Sequence, residues 1–307
     1  MKKIIFIGGS GFIGKSFIDA FSRGLLKKFK IKKLVVISRN IQEIKKTKIN
    51  LKNIRLIKGD ISKLKKIPRS DYVIYGAEYA DLKNKKNYLE EIYQSKKSID
   101  NFCNIIKSQK KTKVLYLSSG AVYRFKKLHN LTRDVFIDKK KAYVFIKNYS
   151  EKKIIELKKY EIKTSIARCF TFIGAWIPRK SKYAIGNFVD NVVLNQSIKV
   201  KSTLKVIRSY MYADDMVKWL ITICKNSKIN TKVYDVGSDE PIEIRSLANL
   251  FSKLFKNKIK FKKKTSSKVD KYLPNIKDTK KNLGLSINYN LKESIIKTIN
   301  RIYEQTY

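Results

Sequence analysis

The sequence predicts an α/β fold built as a doubly wound parallel sheet, and three observations carry that expectation. Short aliphatic runs such as "KKIIFIGG", "KKLVVIS" and "TKVLYLSS" alternate with longer stretches of helical periodicity. Strands that are continuously apolar belong to sheets covered on both faces, which is the condition of parallel sheets. The first run breaks into Gly8, Gly11 and Gly14, spaced by three, and leads directly into a helical stretch. Finally, 307 residues with 43% hydrophobic content are enough for one large α/β domain and a smaller lobe.

Taken in order, "KKIIFIGG" reads as a buried strand, and "GFIGKSFIDAFSRGLL" as a helix with Ile13, Phe17, Ala20 and Phe21 on one side. "KKLVVIS" is a second buried strand, followed after a polar connection by strands at "NIRLIKGD" and "SDYVIYGA". A long helix around "YLEEIYQSKKSIDNFCNIIKSQ" leads to the strand "TKVLYLSSG", and a second helix, "AYVFIKNYSEKKIIELKKY", leads to "KTSIARCF". Right-handed crossovers then make the sheet doubly wound. Beyond Phe170 the rhythm changes: a loop, the helix "NFVDNVVLN", short strands near "SIKV" and "RSYMY", the helix "ADDMVKWLITICK", the strand "KVYDVGS", and helices at "IRSLANLFSKLF" and "NLKESIIKTINRIYEQ". The expected division is therefore a dinucleotide-binding domain over 1–170, with elements near 205–237 returning to it, and a lobe over 171–307 that mainly binds substrate. Lysine-rich runs such as "KKKTSSK" read as exposed loops.

Composition excludes several chemistries. One histidine, His129, in the polar stretch "KKLHNLTRD", leaves little for a histidine-rich metal centre or a serine–histidine relay, and it reads as a solvated loop residue. Cys103, Cys169 and Cys224 are odd in number and far apart, with neither metal-site spacing nor a disulfide framework, so no metal is expected and a reducing cytoplasm fits. No apolar stretch approaches the roughly 20 residues that span a bilayer, and the opening segment lacks a signal-peptide cleavage site, so a soluble, unprocessed cytoplasmic protein is expected. The formal net charge of +45 points at first to nucleic acid. The lysines are spread from end to end and arginine is scarce, a pattern of solvated faces, so specific nucleic-acid binding is not expected. Such a field still attracts phosphorylated small molecules.

Glycines spaced by three serve plain turns as well as phosphate sites. Their place at the first strand-to-helix junction favours the second use: Gly8 for the tight bend, Gly11 for close approach to a pyrophosphate, Gly14 for close packing of helix and strand. The helix amino terminus then offers free N–H groups to the anion. This is a Rossmann-type dinucleotide turn. The second strand ends "VVISRN", with Ser38 and Arg39 where an acid usually binds the ribose hydroxyls of NAD. Arg39, with Lys15 nearby, tilts the cofactor toward NADP(H) over NAD(H), unless Arg39 is one more surface cation.

Tyr143 and Lys147, four residues apart, project from one helix face. A tyrosine titrates near 10 in isolation, and a neighbouring ammonium lowers that value, which suits proton transfer at neutral pH. The pair alone is ordinary in so lysine-rich a chain. Ser119 adds weight because it ends a strand, and ligands of doubly wound sheets bind beyond strand carboxyl ends. Of Ser118 and Ser119, the second is favoured for chemistry.

The ordered set "GGSGFIG", "GDI", "LSSGAVY", "YVFIK", "ARCFTFIG", "RSYMYADD" and "YDVGSDEP" resembles the extended short-chain dehydrogenase/reductase family, the NAD-dependent epimerase/dehydratase group, over nearly the whole chain. The resemblance implies Tyr143 as acid/base, Lys147 as its partner and as nicotinamide-ribose ligand, and Ser119 as the hydroxyl that orients substrate. It also implies Phe12 and Ile13 in the cofactor turn, Asp60 and Ile61 at the adenine pocket, Ala77 along the cofactor, and Asn187 and Arg208 on the diphosphate of a nucleotide-sugar. Family dehydratases carry acids just after the catalytic serine or threonine, where this chain has Gly120 and Ala121. The expected reaction is therefore hydride chemistry at one carbon: a 4-ketoreductase acting on a nucleotide-linked deoxyhexose, like the CDP-abequose synthase-like enzymes, or else a 4-epimerase with tightly bound NAD. A non-catalytic relative that binds RNA or senses cofactor is the remaining reading. Thr171, Tyr75 and Gly76 depart from the family pattern. The two long helices, near residues 88–108 and 143–160, could pair two copies into a homodimer as in relatives, and a fully solvated face is an equally good reading of the same residues.

Overall fold

The computed structural model describes residues 2–78, 88–125, 133–179 and 183–306. The strands are β1 (Lys2–Ile7), β2 (Ile31–Ser38), β3 (Ile54–Lys58), β4 (Tyr72–Tyr75), β5 (Lys113–Ser119), β6 (Lys163–Cys169), β7 (Phe172–Ile173), β8 (Ile198–Val200), β9 (Lys205–Arg208), β10 (Met211–Tyr212), β11 (Lys232–Val236), β12 (Ile242–Glu243), β13 (Ile259–Phe261) and β14 (Val269–Lys271). The α-helices are α1 (Phe12–Ser22), α2 (Gln42–Lys45), α3 (Leu89–Ile106), α4 (Arg133–Ile137), α5 (Lys139–Glu156), α6 (Ala184–Val193), α7 (Ala213–Lys225), α8 (Ile244–Phe255), α9 (Lys277–Leu283) and α10 (Leu291–Thr306). The chain divides into two compact units, Met1–Cys169 with Leu220–Tyr234, and Phe170–Trp219 with Asp235–Tyr307.

The first unit holds a seven-stranded sheet in the order β11-β6-β5-β4-β1-β2-β3, and β1 to β6 pair in parallel. The order turns back between β1 and β4, which is the switch point where such sheets open a crevice at their carboxyl ends. Ile4 to Ile7 of β1 and Val114 to Ser119 of β5 are buried without alternation, because helices cover both faces. Helix α5 begins earlier than its apolar periodicity indicates, at Lys139. The Asp138 side chain accepts from the N–H groups of Lys140 at 2.7 Å and Lys141 at 3.1 Å, a side-chain N-cap. The helix ends at Glu156 in a 3-10 turn over Leu157–Tyr160.

The second unit contains the small sheets β12-β9-β14, β13-β8 and β10-β7. Phe188 of α6 meets Phe251 of α8 edge-on at 5.8 Å. Buried Asp215 accepts from the Asn288 N–H at 2.8 Å, its side-chain amide at 2.6 Å and the Tyr289 N–H at 3.2 Å. The run "KKKTSSK" is exposed loop. Among the described residues, no helix is long and apolar enough to cross a membrane.

Candidate active site

The glycine turn is built by exclusion of side chains. Gly8 sits at a φ of +95°, a left-handed conformation that favours glycine, and a Cβ there would lie 2.5 Å from the Gly76 carbonyl oxygen and 2.8 Å from the Ala77 nitrogen. This contact brings Ala77, just past β4, against the turn. A Cβ on Gly14 would lie 2.5 Å from the backbone of Gly9, and one on Gly9 would strike the Val36 side chain of β2. Gly14 thus packs on the turn itself, and Gly9 is the glycine that packs on the sheet, a refinement of the role assigned to Gly14 from spacing. Gly11 differs: a Cβ there meets no atom within 4 Å. Gly11 is the N-cap of α1 and supplies no side-chain cap, so the opening beside it lies at the amino terminus of the helix. A cradle that is crowded behind and open in front of a helix amino terminus fits the pyrophosphate of a dinucleotide.

Phe12 and Ile13, half-buried, open α1. Ser38, at the end of β2, donates to the Ser10 hydroxyl at 3.0 Å, and Arg39 beside it is exposed. Lys15 lies 3.8 Å from Glu43, so its charge is shared within the first unit. Gly59 donates to the Ser38 carbonyl at 3.1 Å, which sets Asp60 next to the end of β2. Partial burial of Asp60 opposes ionisation. Hydrogen bonds from the Ser62 N–H at 2.9 Å and hydroxyl at 2.8 Å, with the field of Arg39 and Lys63, outweigh it and hold the carboxyl below its usual range. Ile61 is buried, and its carbonyl accepts from Asn101 at 2.7 Å.

Tyr143 and Lys147 both lie on α5. Tyr143 is half-buried against the cluster of Tyr88, Ile92, Val135, Ala142, Phe145 and Ile146. The Lys147 ammonium sits 5.7 Å from the Tyr143 ring centroid. Lys147 is 6% exposed and donates to the Leu117 carbonyl at 2.9 Å, which ties it to β5. Ser119, 8% exposed, ends β5, and its hydroxyl accepts from the Ala121 N–H at 3.2 Å. Its neighbour Ser118 donates to Glu151 at 2.5 Å, and Arg168 grips the same carboxylate at 3.0 and 2.7 Å. Ser118 is therefore part of a buried structural pair.

Asn187 lies half-buried on α6 in the second unit. Arg208, at the end of β9, is engaged by Asp270: it donates to the Asp270 carboxylate at 2.6 Å and to the Asp270 carbonyl at 2.8 Å. Thr171 donates to the Ser209 carbonyl. Tyr75 is wholly buried core, with its ring 4.7 Å from Phe102. His129 lies outside the described residues. All three cysteines are free buried thiols, and among the described residues no group of three or more His, Cys, Asp or Glu side chains could hold a metal ion.

Two residues that matter here were not found from the sequence: Gly9, and Glu78, whose buried carboxylate pairs with Lys147 at 2.7 Å. Gly9 adjoins the spaced glycines and a signal was present. Glu78 offered none, because its partners lie far away in the chain.

A search of curated protein sequences returned no match. Among solved structures, the enzyme WbmF of Bordetella bronchiseptica in complex with NAD+ superposes with a TM-score of 0.77 at 16% identity, covering 99% of this chain and 93% of that one. The dTDP-glucose 4,6-dehydratase of Bacillus anthracis in complex with NAD gives 0.76 at 15% identity, covering 100% and 97%. The UDP-glucose 4-epimerase of Thermotoga maritima with UDP-glucose gives 0.76 at 16% identity, covering 99% of each chain. At these identities the likeness shows a shared Rossmann-like α/β fold. The profile of the NAD dependent epimerase/dehydratase family matches residues 4–237, most of the chain. The chain therefore belongs to the NAD dependent epimerase/dehydratase family and is an NAD(P)-dependent enzyme.

Proposed function

We propose that this enzyme is a nucleotide-sugar oxidoreductase, an NADPH-using 4-ketoreductase of a nucleotide-linked deoxyhexose. The observation that carries the reading is the Tyr143–Lys147 pair on α5, tied to β5 beside Ser119 at the carboxyl edge of the sheet. A bound nicotinamide cofactor supplies the hydride. In the reducing direction the Tyr143 phenol gives its proton to the oxygen of the substrate carbonyl as that carbon is reduced, and the Lys147 ammonium stabilises the phenolate left behind. Ser119 donates to the same oxygen and orients it. The backbone of the Gly8–Gly14 turn holds the pyrophosphate, and Asp60, Ile61 and Ala77 line the remainder of the dinucleotide.

The preference for NADPH rests on the end of β2. Ser38 is buried and turned to Ser10, no acid stands there, and exposed Arg39 suits an additional 2′-phosphate. In the second unit, Asn187 and Arg208 take the diphosphate, with Arg208 exchanging Asp270 for phosphate oxygens. Gly120 and Ala121 carry no carboxyl group for a second proton transfer, which supports reduction over dehydration. Residence in the cytoplasm and pairing of two copies go with this reading, and sedimentation tests the second.

A 4-epimerase is the second reading, favoured by the likeness to the Thermotoga maritima 4-epimerase. Purified protein incubated with nucleotide-linked hexoses and 4-ketohexoses, with either cofactor, separates the two. Net consumption of NADPH and a product heavier by two hydrogens support the reductase. Tightly held NAD that survives dialysis, with isomerisation and no net consumption, supports the epimerase.

A further inference from the structure

Glu78 follows Ala77 past the end of β4, and its side chain is 2% exposed. A buried carboxylate is costly unless hydrogen bonds and an opposite charge compensate it. Here the compensation is complete: the Tyr116 hydroxyl of β5 lies 2.9 and 2.8 Å from its two oxygens, the Ser150 hydroxyl of α5 donates at 2.6 Å, and the Lys147 ammonium pairs at 2.7 Å. Lys147 and Ser150 are three apart on one face of α5, and Tyr116 and Ser118 are two apart on one face of β5. The same two faces carry the second buried acid, Glu151, whose partners are Ser118 and Arg168. The two acids have different partners. Glu151 is held by an arginine, whereas Glu78 is held by the lysine that faces Tyr143.

We propose that Glu78 is a positioning residue: together with Tyr116 and Ser150 it fixes the Lys147 ammonium, charged, where it acts on the Tyr143 phenol. The proposal rests on the hydride-transfer reading above. Lys147 is clamped from two sides, by Glu78 and by the Leu117 carbonyl, with its nitrogen 5.3 Å from the Tyr116 ring and 5.7 Å from the Tyr143 ring. An ammonium has three donors. These two bonds aim the third.

The groups that face Lys147 are Glu78, Tyr116 of β5, Tyr143 of α5 and, from β6, Cys169. Burial alone lowers the lysine's pKa, and the charge and hydrogen bond of Glu78, aided by Tyr143, reverse that and raise it above the ordinary value. Burial pushes the Tyr116 phenol well up, and Glu78 pushes it further, so Tyr116 remains a neutral donor to the carboxylate. Lys147 thus keeps its charge through neutral pH despite burial.

The test is Glu78→Gln, read by NMR of 15N-labelled lysine side chains, with Lys147→Arg assigning the signal. In the native protein the Lys147 signal should remain that of an ammonium past pH 10.5, where ordinary lysines titrate. In Glu78→Gln its proton affinity should fall at least tenfold, and the pH profile of turnover should move with it, with Glu78→Asp restoring part of the loss. A Lys147 titration that is unchanged in folded Glu78→Gln overturns the proposal. If that variant does not fold, Tyr116→Phe with Ser150→Ala is read in the same way, and an unmoved Lys147 there overturns it equally. The titration needs neither cofactor nor substrate. Full turnover in Tyr143→Phe would instead defeat the hydride-transfer reading while leaving the hold of Glu78 on Lys147 in place.

Discussion

The glycine turn and the inner face of α5 are two regions of the first unit that the proposed function draws on, and they are built on opposite principles. The turn works through missing side chains: Gly8 and Gly14 let backbone approach backbone, and Gly11 leaves space in front of α1. The face of α5 works through charges taken out of water, Lys147 with Glu78 and Glu151 with Arg168. A backbone site fails by steric overlap and is largely indifferent to pH. A site of buried charge fails by the loss of one partner, because the other is then left uncompensated. Substitutions in the two regions should therefore fail in different ways.

The largest expected effect is on catalysis. Tyr143→Phe should lower turnover about 100- to 10,000-fold, the range for removal of a general acid, while NAD(P)H binding measured by fluorescence stays within about twofold. Next comes Arg168→Ala, which strands Glu151. It should cost about 3 kcal/mol in denaturant unfolding, the low end for a broken buried pair because the Arg168 side chain is 22% exposed. Gly14→Ala should cost about 1–3 kcal/mol, more than the roughly 1 kcal/mol that alanine gains over glycine inside a helix. Gly11→Ala sharpens the contrast: stability should change by only about 0.5 kcal/mol, yet cofactor affinity should fall at least tenfold, as about 1.4 kcal/mol of binding is lost. Equal losses of stability in the two glycine variants would erase the distinction between packing and binding glycines.

A smaller effect separates both regions from the rest of the core. Burial pushes the Cys103 and Cys224 thiols up to about 12. Because the folded values are raised, the stability they contribute is full below about pH 9, where unfolded thiols titrate, and is lost as pH rises toward 12. Native protein at pH 8 should resist thiol reagents at both positions, and unfolded chain should react at all three cysteines. Rapid native labelling of Cys224 would contradict this packing.

The difference between the regions also explains what was legible in the sequence. The glycine turn is local, so its spacing and its place after an aliphatic run announce it. Tyr143 and Lys147 are likewise one helical turn apart. Their compensating acid was not legible, because Glu78 meets Tyr116 and Ser150 across 38 and 72 residues of chain, and no period links such positions. Buried Lys147, Ser150 and Glu151 blur the amphipathic pattern of α5, which is why the sequence pattern starts the helix at Ala142, three residues after its true start at Lys139. Arg208 was read toward phosphate, and its engagement with Asp270, 62 residues on, could not be seen from local sequence. Short lysine-rich elements such as α2, α9 and β14 carry too few apolar residues to stand out.

In the proposed reaction, hydride passes to a single sugar carbon at the Tyr143 site. The most direct measurement incubates the enzyme with NADPH carrying deuterium at the transferable position of the nicotinamide and with a nucleotide-linked 4-ketohexose, and locates the label by mass and NMR. One deuterium at carbon 4 of the product, absent when Tyr143→Phe is used, is the result expected. A product without deuterium at that carbon, or equal labelling by the variant, would contradict the account.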